Sequence, residues 1–264
     1  MLSKLLKYDL KWMLKIICVF CIIGTIFGVL ARVIEMCTDS LFFDIIVGIF
    51  KGTALSLTIS ALFNSVIRAW VRLGNNMYKD ESYLTNTLPI PRSTHYLSKC
   101  LSGVICVFLS AIVILINVFI MYYSKDNLQL LKDSLNLLSS TLDVSIIWFV
   151  ILIFIVILLQ AIFILQYGYF GIIYGNTLNK NKLLNSFIFG FLAYMANSIL
   201  SILFLIVGSL FNESLSSVIL GGSTVVEFGV LKGILICVCS LYVVYIGVLY
   251  YLNNRSLKKG INID

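Results

Sequence analysis

The sequence has little charge, and this shortage excludes most classes of soluble protein. Of its 264 residues only 12% are charged, whereas 60% are hydrophobic and the mean hydropathy is +1.03. A water-soluble domain of this length needs far more charged surface to cover its core. Apolar stretches of about 20 residues, the length that crosses a bilayer core, occupy most of the chain instead. The sequence therefore predicts an all-α, polytopic membrane protein.

Proline, histidine and the common enzyme motifs are nearly or wholly missing. The only two prolines, Pro89 and Pro91, and the only histidine, His95, lie in one polar segment, where we expect the histidine to be solvated. No proline interrupts an apolar span, which counts against the broken helices of secondary transporters. One histidine cannot form a metal site or a Ser-His-Asp set by itself, and no glycine-rich loop ends in Gly-Lys-Ser/Thr. We expect a protein that is not an enzyme, with no catalytic residue, metal or cofactor of its own.

Six apolar stretches are long enough to cross a membrane, and basic residues predict their orientation. The stretches cover residues 16–31, 42–67, 101–122, 146–169, 187–211 and 228–252. Lys and Arg concentrate in cytoplasmic segments. With the amino terminus inside, fourteen of the 19 basic residues are cytoplasmic and three lie outside. We therefore expect a multi-pass protein of the cell membrane with both termini in the cytoplasm, and no nucleic-acid partner, because the basic excess follows the topology.

The segments around these spans predict a single transmembrane domain, residues 1–264, with three special regions. Residues 1–15 alternate leucines with four lysines, which indicates either an amphipathic helix lying on the membrane surface or an extension of span one. Residues 68–99 form the longest polar loop. Between spans three and four, leucines recur at helical spacing over residues 124–143 and predict an amphipathic helix. Residues 212–227 are so apolar that we expect them to re-enter the membrane.

Span two carries a polar stripe, in which four residues recur every seven positions: Asp44, Lys51, Thr58 and Ser65. A seven-residue spacing drifts only about 20° per repeat on a straight helix, so these side chains share one face. Charges inside a span are costly and normally face water or a partner. The stripe either lines a substrate route, or Asp44 and Lys51 lie near the outer interface, where lysine reaches toward the headgroups.

Glycine and cysteine are both placed for packing. Four Gly-x-x-x-Gly spacings, which allow close approach of membrane helices, occur at Gly24/Gly28, Gly48/Gly52, Gly171/Gly175 and Gly229/Gly233. They favour a tightly packed bundle or a dimer. Cys18 and Cys21 have a redox-motif spacing but lie in an apolar helix without a histidine or acid, so we interpret them as small apolar residues.

The most specific stretch is the polar loop between spans two and three. It reads Tyr83-Leu84-Thr85-Asn86-Thr87-Leu88-Pro89-Ile90-Pro91-Arg92, followed by Tyr96, Leu97, Lys99 and Leu101. This resembles the permease subunits of type-2 ATP-binding-cassette exporters from Gram-positive bacteria, whose loop reads roughly Tyr-Leu-x-x-Thr-Leu-Pro-x-Ser-Arg. Pro91 replaces the usual serine and stiffens the turn. The overall layout of six spans with an amino-terminal amphipathic helix is similar as well.

The resemblance implies a partner for this loop. Such permeases pair with a second permease, identical or homologous, and dock two separate ATPase subunits that bind ATP and magnesium. The loop would hold the coupling helix, a short helix seated in a cleft of the ATPase. Its contacts would come from Asp80, Glu81, Tyr83, Leu84, Thr87, Leu88, Pro89 and Arg92. The resemblance further implies membrane lipids as neighbours and export of an antimicrobial peptide, a drug or a lipid-like molecule.

Two other classes of function remain open on the residues alone. An ATP-independent channel or secondary transporter would need no ATPase partner. A membrane scaffold or assembly factor would show no substrate-stimulated ATP turnover with any partner. In both cases residues 80–92 would be an ordinary solvated loop.

Single cysteines placed in a cysteine-free chain test the predicted topology. We expect membrane-impermeant thiol reagents to label positions 94 and 258 only from the cytoplasm, and position 130 only from outside. The split of basic residues is the reason. Labelling of position 130 from the cytoplasm alone would overturn the orientation.

Overall fold

The computed structural model describes residues 1–37, 40–79, 81–142, 146–178, 180–211, 216 and 228–259. Within these ranges the chain forms eight helices of six residues or more and no strand. In chain order they are α1 (Leu2–Cys37), α2 (Leu41–Tyr78), α3 (Ser82–Thr87), α4 (Arg92–Tyr122), α5 (Lys125–Leu142), α6 (Ile146–Gly175), α7 (Lys182–Phe211) and α8 (Phe228–Lys259).

Six of these helices are long and apolar enough to cross a membrane: α1, α2, α4, α6, α7 and α8. Each contains one predicted span, so the expected number of spans and the all-α fold are confirmed. Backbone polar groups must be satisfied inside a bilayer, and a helix does this within one segment. A long apolar segment in a bilayer therefore forms a helix.

Three helices extend well beyond their predicted spans. The helix α1 is continuous over 36 residues, about 54 Å at 1.5 Å per residue, so residues 2–15 continue the helix of span one. Their location on the membrane surface stays a prediction. Likewise α2 continues to Tyr78 and α4 begins at Arg92. The loop predicted for residues 68–99 is thus limited to residues 79–91. The extensions are helical because buried residues continue at helical spacing, with Asp9, Met13 and Ile17 on one face of α1.

The chain divides into two compact units, unit 1 (Met1–Lys132) and unit 2 (Asp133–Asp264). The single domain expected from the sequence stays a prediction. In unit 1 the helices α1, α2 and α4 each pack on the other two. Small residues set the spacing, since a Cβ added at Gly24 would lie 2.8 Å from the Thr58 methyl carbon of α2. On α4, Asn117 and Met121 lie against Gly28.

Unit 2 contains a second packed group, formed by α6, α7 and α8. The helices α6 and α7 approach so closely at Gly171 that an added Cβ would lie 2.9 Å from the backbone nitrogen of Gly190. The Tyr245 hydroxyl of α8 donates a 2.6 Å hydrogen bond to the Ala193 carbonyl of α7. Close backbone approach and a buried hydroxyl bond are typical of membrane helix packing.

The two remaining predictions of local structure have different outcomes. A helix between spans three and four is confirmed as α5, which begins after Ser124, whose hydroxyl accepts a 3.0 Å hydrogen bond from the Asn127 backbone N–H. Such a bond is typical of a helix amino-terminal cap. Residues 212–227 lie, except for residue 216, outside the described residues, so their re-entry into the membrane stays a prediction.

The close approach of α6 and α7 can be tested with a single methyl group. In Gly171→Ala the new Cβ meets backbone atoms of Ser186 and Gly190, which cannot rotate away. We expect the free energy of unfolding to fall by about 1–3 kcal/mol. This fall outweighs the gain of up to about 1 kcal/mol that alanine brings in helix propensity. Thermal unfolding of the protein in detergent measures this loss of stability.

The matched control is Gly247→Ala on α8, because an added Cβ there meets no atom within 4 Å. This variant should be as stable as the wild type or slightly more stable. Equal effects of the two substitutions would contradict the α6–α7 packing.

Candidate functional site

A buried carboxylate joins the three helices of unit 1 at their amino-terminal end, the end that carries residue 1. Asp9 of α1 is 1% exposed and accepts hydrogen bonds from three side chains. These are Ser98 Oγ at 2.7 Å and Lys99 Nζ, both on α4, and Arg72 Nε at 3.0 Å on α2. Lys99 is 2% exposed. A buried charge is tolerated when it is paired and fully hydrogen-bonded, and Asp9 meets both conditions.

Arg72 connects this cluster to the short helix α3. Its Nη1 donates a 3.0 Å hydrogen bond to Glu81 Oε2, while its Nε holds Asp9. Glu81 immediately precedes the first residue of α3, and its carboxylate is partly exposed. The guanidinium lies 5.3 Å from the ring centroid of Trp12. Because a guanidinium offers several N–H groups in a fixed plane, one arginine ties α3 to both α1 and α2.

A second carboxylate of α1 forms a similar cluster at the opposite end of unit 1. Glu35 pairs with Arg32 at 3.1 Å and with Lys51 of α2 at 2.7 Å. The Lys51 ammonium also lies 5.2 Å from the Tyr122 ring of α4. The Glu35 carboxylate is 37% exposed, so it is less protected than Asp9. Each end of the three-helix group thus carries one acid of α1 with two cations.

The distance between the clusters matches the thickness of a membrane. From Lys51 to Arg72 the helix α2 rises about 32 Å, close to the roughly 30 Å hydrocarbon core of a bilayer. The residues between them are mainly apolar. The two ion clusters are thus separated by about the thickness of a hydrocarbon core, and α3 follows the end of α2 on the amino-terminal side.

Local bonds and two prolines define α3. Inside it, Thr85 Oγ1 and Asn86 Nδ2 donate to backbone carbonyls four residues earlier. The helix ends at Thr87 because Leu88 precedes Pro89, and a residue before proline avoids the helical region. Leu88 accordingly has the extended ψ of 135°. Pro91 then stands before the first residue of α4 with φ −58°.

The exposure pattern of α3 is the reverse of that of an ordinary surface helix. Its small polar residues face inward, with Ser82 fully buried and Thr85 8% exposed. The large apolar residues of this segment face outward: Tyr83 and Leu84 of α3 are 69% and 74% exposed, and Leu88, which follows α3, is 46% exposed. We call these three residues the apolar tip. Contiguous exposed apolar side chains outside a membrane typically mark a surface for a partner.

The other residues predicted for the coupling helix have mixed placements. Thr87 is exposed, but its hydroxyl bonds the Leu84 carbonyl at 2.9 Å. Pro89 is exposed beside the apolar tip, and Arg92 is the first residue of α4. Glu81 pairs with Arg72 of the same chain, a use the sequence did not indicate. Asp80 lies outside the described residues.

The four residues of the polar stripe on α2 lie in different surroundings. Asp44 is exposed, and Lys51 belongs to the Glu35 cluster. Thr58 and Ser65 are fully buried, and their hydroxyls bond carbonyls of their own helix at 3.0 Å and 2.6 Å. Packing within unit 1 accounts for these two residues without a substrate. A pathway-lining role for the stripe stays a prediction.

His95 is 3% exposed, so the expectation of a solvated histidine is wrong. The reason is that α4 begins at Arg92, which brings His95 into the packed part of unit 1. Among the described residues no three His, Cys, Asp or Glu side chains group together as a metal site. The buried ionic side chains instead serve to join helices.

The sequence reasoning missed Asp9, although a signal for it exists. Asp9 is the only acid before Glu35, and it continues the helical series of Leu5, Leu6 and Met13 on the apolar face of α1. A lone acid on an apolar face needs a buried cation. Its partner Lys99 is 90 residues away, and helical spacing cannot reveal a contact at that separation.

No family model matches the chain, and comparisons with curated proteins and with solved structures find no match either.

Replacing Asp9 tests whether the buried carboxylate joins the helices. Asp9→Asn keeps the shape but removes the buried negative charge that Lys99 and Arg72 bind, although Arg72 keeps its bond to Glu81. Breaking a buried pair in this way costs about 3–5 kcal/mol, so we expect a large fall in the thermal stability of the detergent-solubilised protein.

Glu35→Gln is the matched control, since Glu35 of α1 also pairs with two cations, Arg32 of α1 and Lys51 of α2, but is much more exposed. Exposed ion pairs contribute about 0.2–1 kcal/mol, so this variant should lose little. Equally small losses in both variants would mean that Asp9 is not the main link.

Proposed function

We propose that the chain is the membrane subunit of an ATP-binding-cassette exporter, and that the apolar tip of α3 docks separate ATPase subunits. The observation that carries the proposal is the reversed pattern of α3. Tyr83, Leu84 and Leu88 are exposed in a segment that the distribution of basic residues predicts to lie in the cytoplasm. Burial of such a side chain is worth about 1.5–3 kcal/mol, so three of them provide a strong anchor for a soluble partner.

The attachment of α3 suits a docking element. A docking helix must be held in a defined position relative to the membrane helices, and Glu81 is bonded to Arg72, which in turn holds Asp9. The two prolines limit the freedom of the segment that leads from α3 to α4. In this function ATP and magnesium belong to the partner, and this chain contributes no catalytic group.

The rest of the assembly follows from the proposed class. The chain would lie in the cell membrane with both termini and α3 in the cytoplasm, as the distribution of basic residues indicates. It would pair with a second permease, identical or homologous, to form the route for the substrate. The substrate would be an antimicrobial peptide, a drug or a lipid-like molecule, and lipids would surround the apolar helices.

The docking proposal is tested by a charge in the apolar tip. In Leu84→Asp the most exposed of the three side chains becomes an acid, which would have to be buried unpaired in the partner. We expect the variant to keep the thermal stability of the wild type, because Leu84 is 74% exposed. Co-purification of an ATPase, and ATP turnover in the purified complex, should fall at least tenfold.

The matched control is Leu130→Asp on α5, where the leucine is 65% exposed at the opposite end of unit 1. This variant should retain the ATPase. Wild-type levels of ATPase in Leu84→Asp would exclude the tip as the docking element. If no ATPase accompanied even the wild type, the chain would be an ATP-independent transporter or a scaffold.

A further inference from the structure

The helix α5 carries an apolar face along which no other helix of the described chain packs. Leu128, Leu131 and Leu135 recur at intervals of three and four residues, and the sequence continues this series with leucines at positions 138 and 142. Residues at these intervals lie on one face of a helix. Leu131 is 56% exposed, and the other two are partly exposed. We call these three residues the leucine stripe.

The opposite face of α5 is polar. Its exposed side chains include Lys125, Gln129, Lys132, Asp133 and Asn136. The two lysines of α5 are balanced by two aspartates, so the helix has no net charge. A helix with one apolar and one polar face binds a membrane surface through buried apolar area, with charge as a further contribution. In α5 the apolar area alone provides the attraction.

Both ends of α5 are joined closely to helices that are long and apolar enough to cross a membrane. Two residues separate it from the end of α4, and three separate it from the beginning of α6. Consecutive spans cross in opposite directions, so the end of α4 and the beginning of α6 reach the same face of the membrane. The helix α6 is apolar from its first five residues onward, Ile-Ile-Trp-Phe-Val, so it does not begin in water.

The length of α5 excludes an upright position. Its 18 residues make a rod about 27 Å long. The three residues between Leu142 and Ile146 can bridge at most about 14 Å. If α5 stood upright on the membrane, the chain would end about 13 Å short of the face from which α6 starts. The helix must therefore run along the membrane face.

Hydrogen bonds fix the point from which α5 starts. The Asn127 side-chain amide donates a 3.0 Å bond to the Tyr122 carbonyl, at the end of α4. Arg32 of α1 donates to the carbonyl of Tyr123, the next residue. Since Arg32 also pairs with Glu35, the beginning of α5 is attached to the ion cluster that joins α1 and α2.

We propose that α5 lies in the lipid–water boundary of the membrane face opposite residue 1, with the leucine stripe among the acyl chains and the polar face in water. Lipid is the partner because a helix that runs along the face meets lipid over its whole length. Leu128, Leu131 and Leu135 then leave water, which is the driving force for such binding. The inference does not depend on the docking role of α3.

The test measures which side of α5 faces lipid in the full-length chain. Leu131→Cys and Asp133→Cys, each in a cysteine-free chain, place a label at positions about 200° apart around the helix. Each is labelled with bimane in detergent and reconstituted into phosphatidylcholine vesicles. Phosphatidylcholine with a nitroxide near the headgroup should quench position 131 about threefold more than position 133. Iodide in the water should quench position 133 more strongly.

Two neighbouring leucines provide a matched pair of variants. Leu130 and Leu131 are 65% and 56% exposed, but Leu130 lies about 100° away from Leu131 around the helix, off the stripe. With bimane at Leu135→Cys, the change Leu131→Asp should raise iodide quenching about threefold, because a charge is expensive among acyl chains. The change Leu130→Asp should leave the quenching as it is.

Three results would overturn the proposal. Equal iodide quenching at positions 131 and 133 would mean that the stripe is in water. Shielding of position 131 from both quenchers would mean that protein, such as a second copy of the chain, covers the stripe. Equal effects of Leu130→Asp and Leu131→Asp would mean that the stripe does not hold the helix to lipid.

Discussion

The structure of unit 1 depends on the bonds of one buried carboxylate. Asp9 is almost completely shielded from water, so it must be satisfied by protein groups, and α2 and α4 supply all three donors. A charge left without these partners in a low-dielectric interior would be very costly. The requirement fixes the rotation and the height of three helices at once. Through Arg72 it also fixes the position from which α3 begins.

Between the two ion clusters a different force holds the same helices. Lipid tails are as apolar as leucine, so burial from water does not drive helices together inside the bilayer. Close contact between small residues takes its place, as where Thr58 lies against Gly24. The ion clusters at the two ends of unit 1 complement this packing because they determine which helix faces meet. Asp9 and Glu35 are about 39 Å apart along α1, so the helix is fixed at both ends.

Hydropathy predicted the six spans because a membrane leaves an apolar run no stable alternative to a helix. It failed at the ends of the spans. Polarity at Arg68 and Arg72 was interpreted as a loop, whereas both residues lie in α2 and stack on Trp12. Outside the hydrocarbon core a polar residue fits a helix or a loop equally well, and only packing decides. The motif at residues 83–92 indicated a short helix. The reversed exposure of that helix, α3, could not be predicted, because it depends on how Ser82 and Thr85 pack in unit 1.

The unequal strength of the two bonds of Arg72 determines which part of unit 1 can move. Its bond to Asp9 is buried and would cost about 3–5 kcal/mol to break. Its bond to Glu81 involves a carboxylate that is 46% exposed, and exposed pairs contribute about 0.2–1 kcal/mol. A force on the apolar tip would therefore release Glu81 long before it separated α1 from α2. Of the two bonds of Arg72, the bond to Glu81 would therefore break first, while the bond that joins α1 and α2, with Arg68 and Trp12 one turn away, would hold.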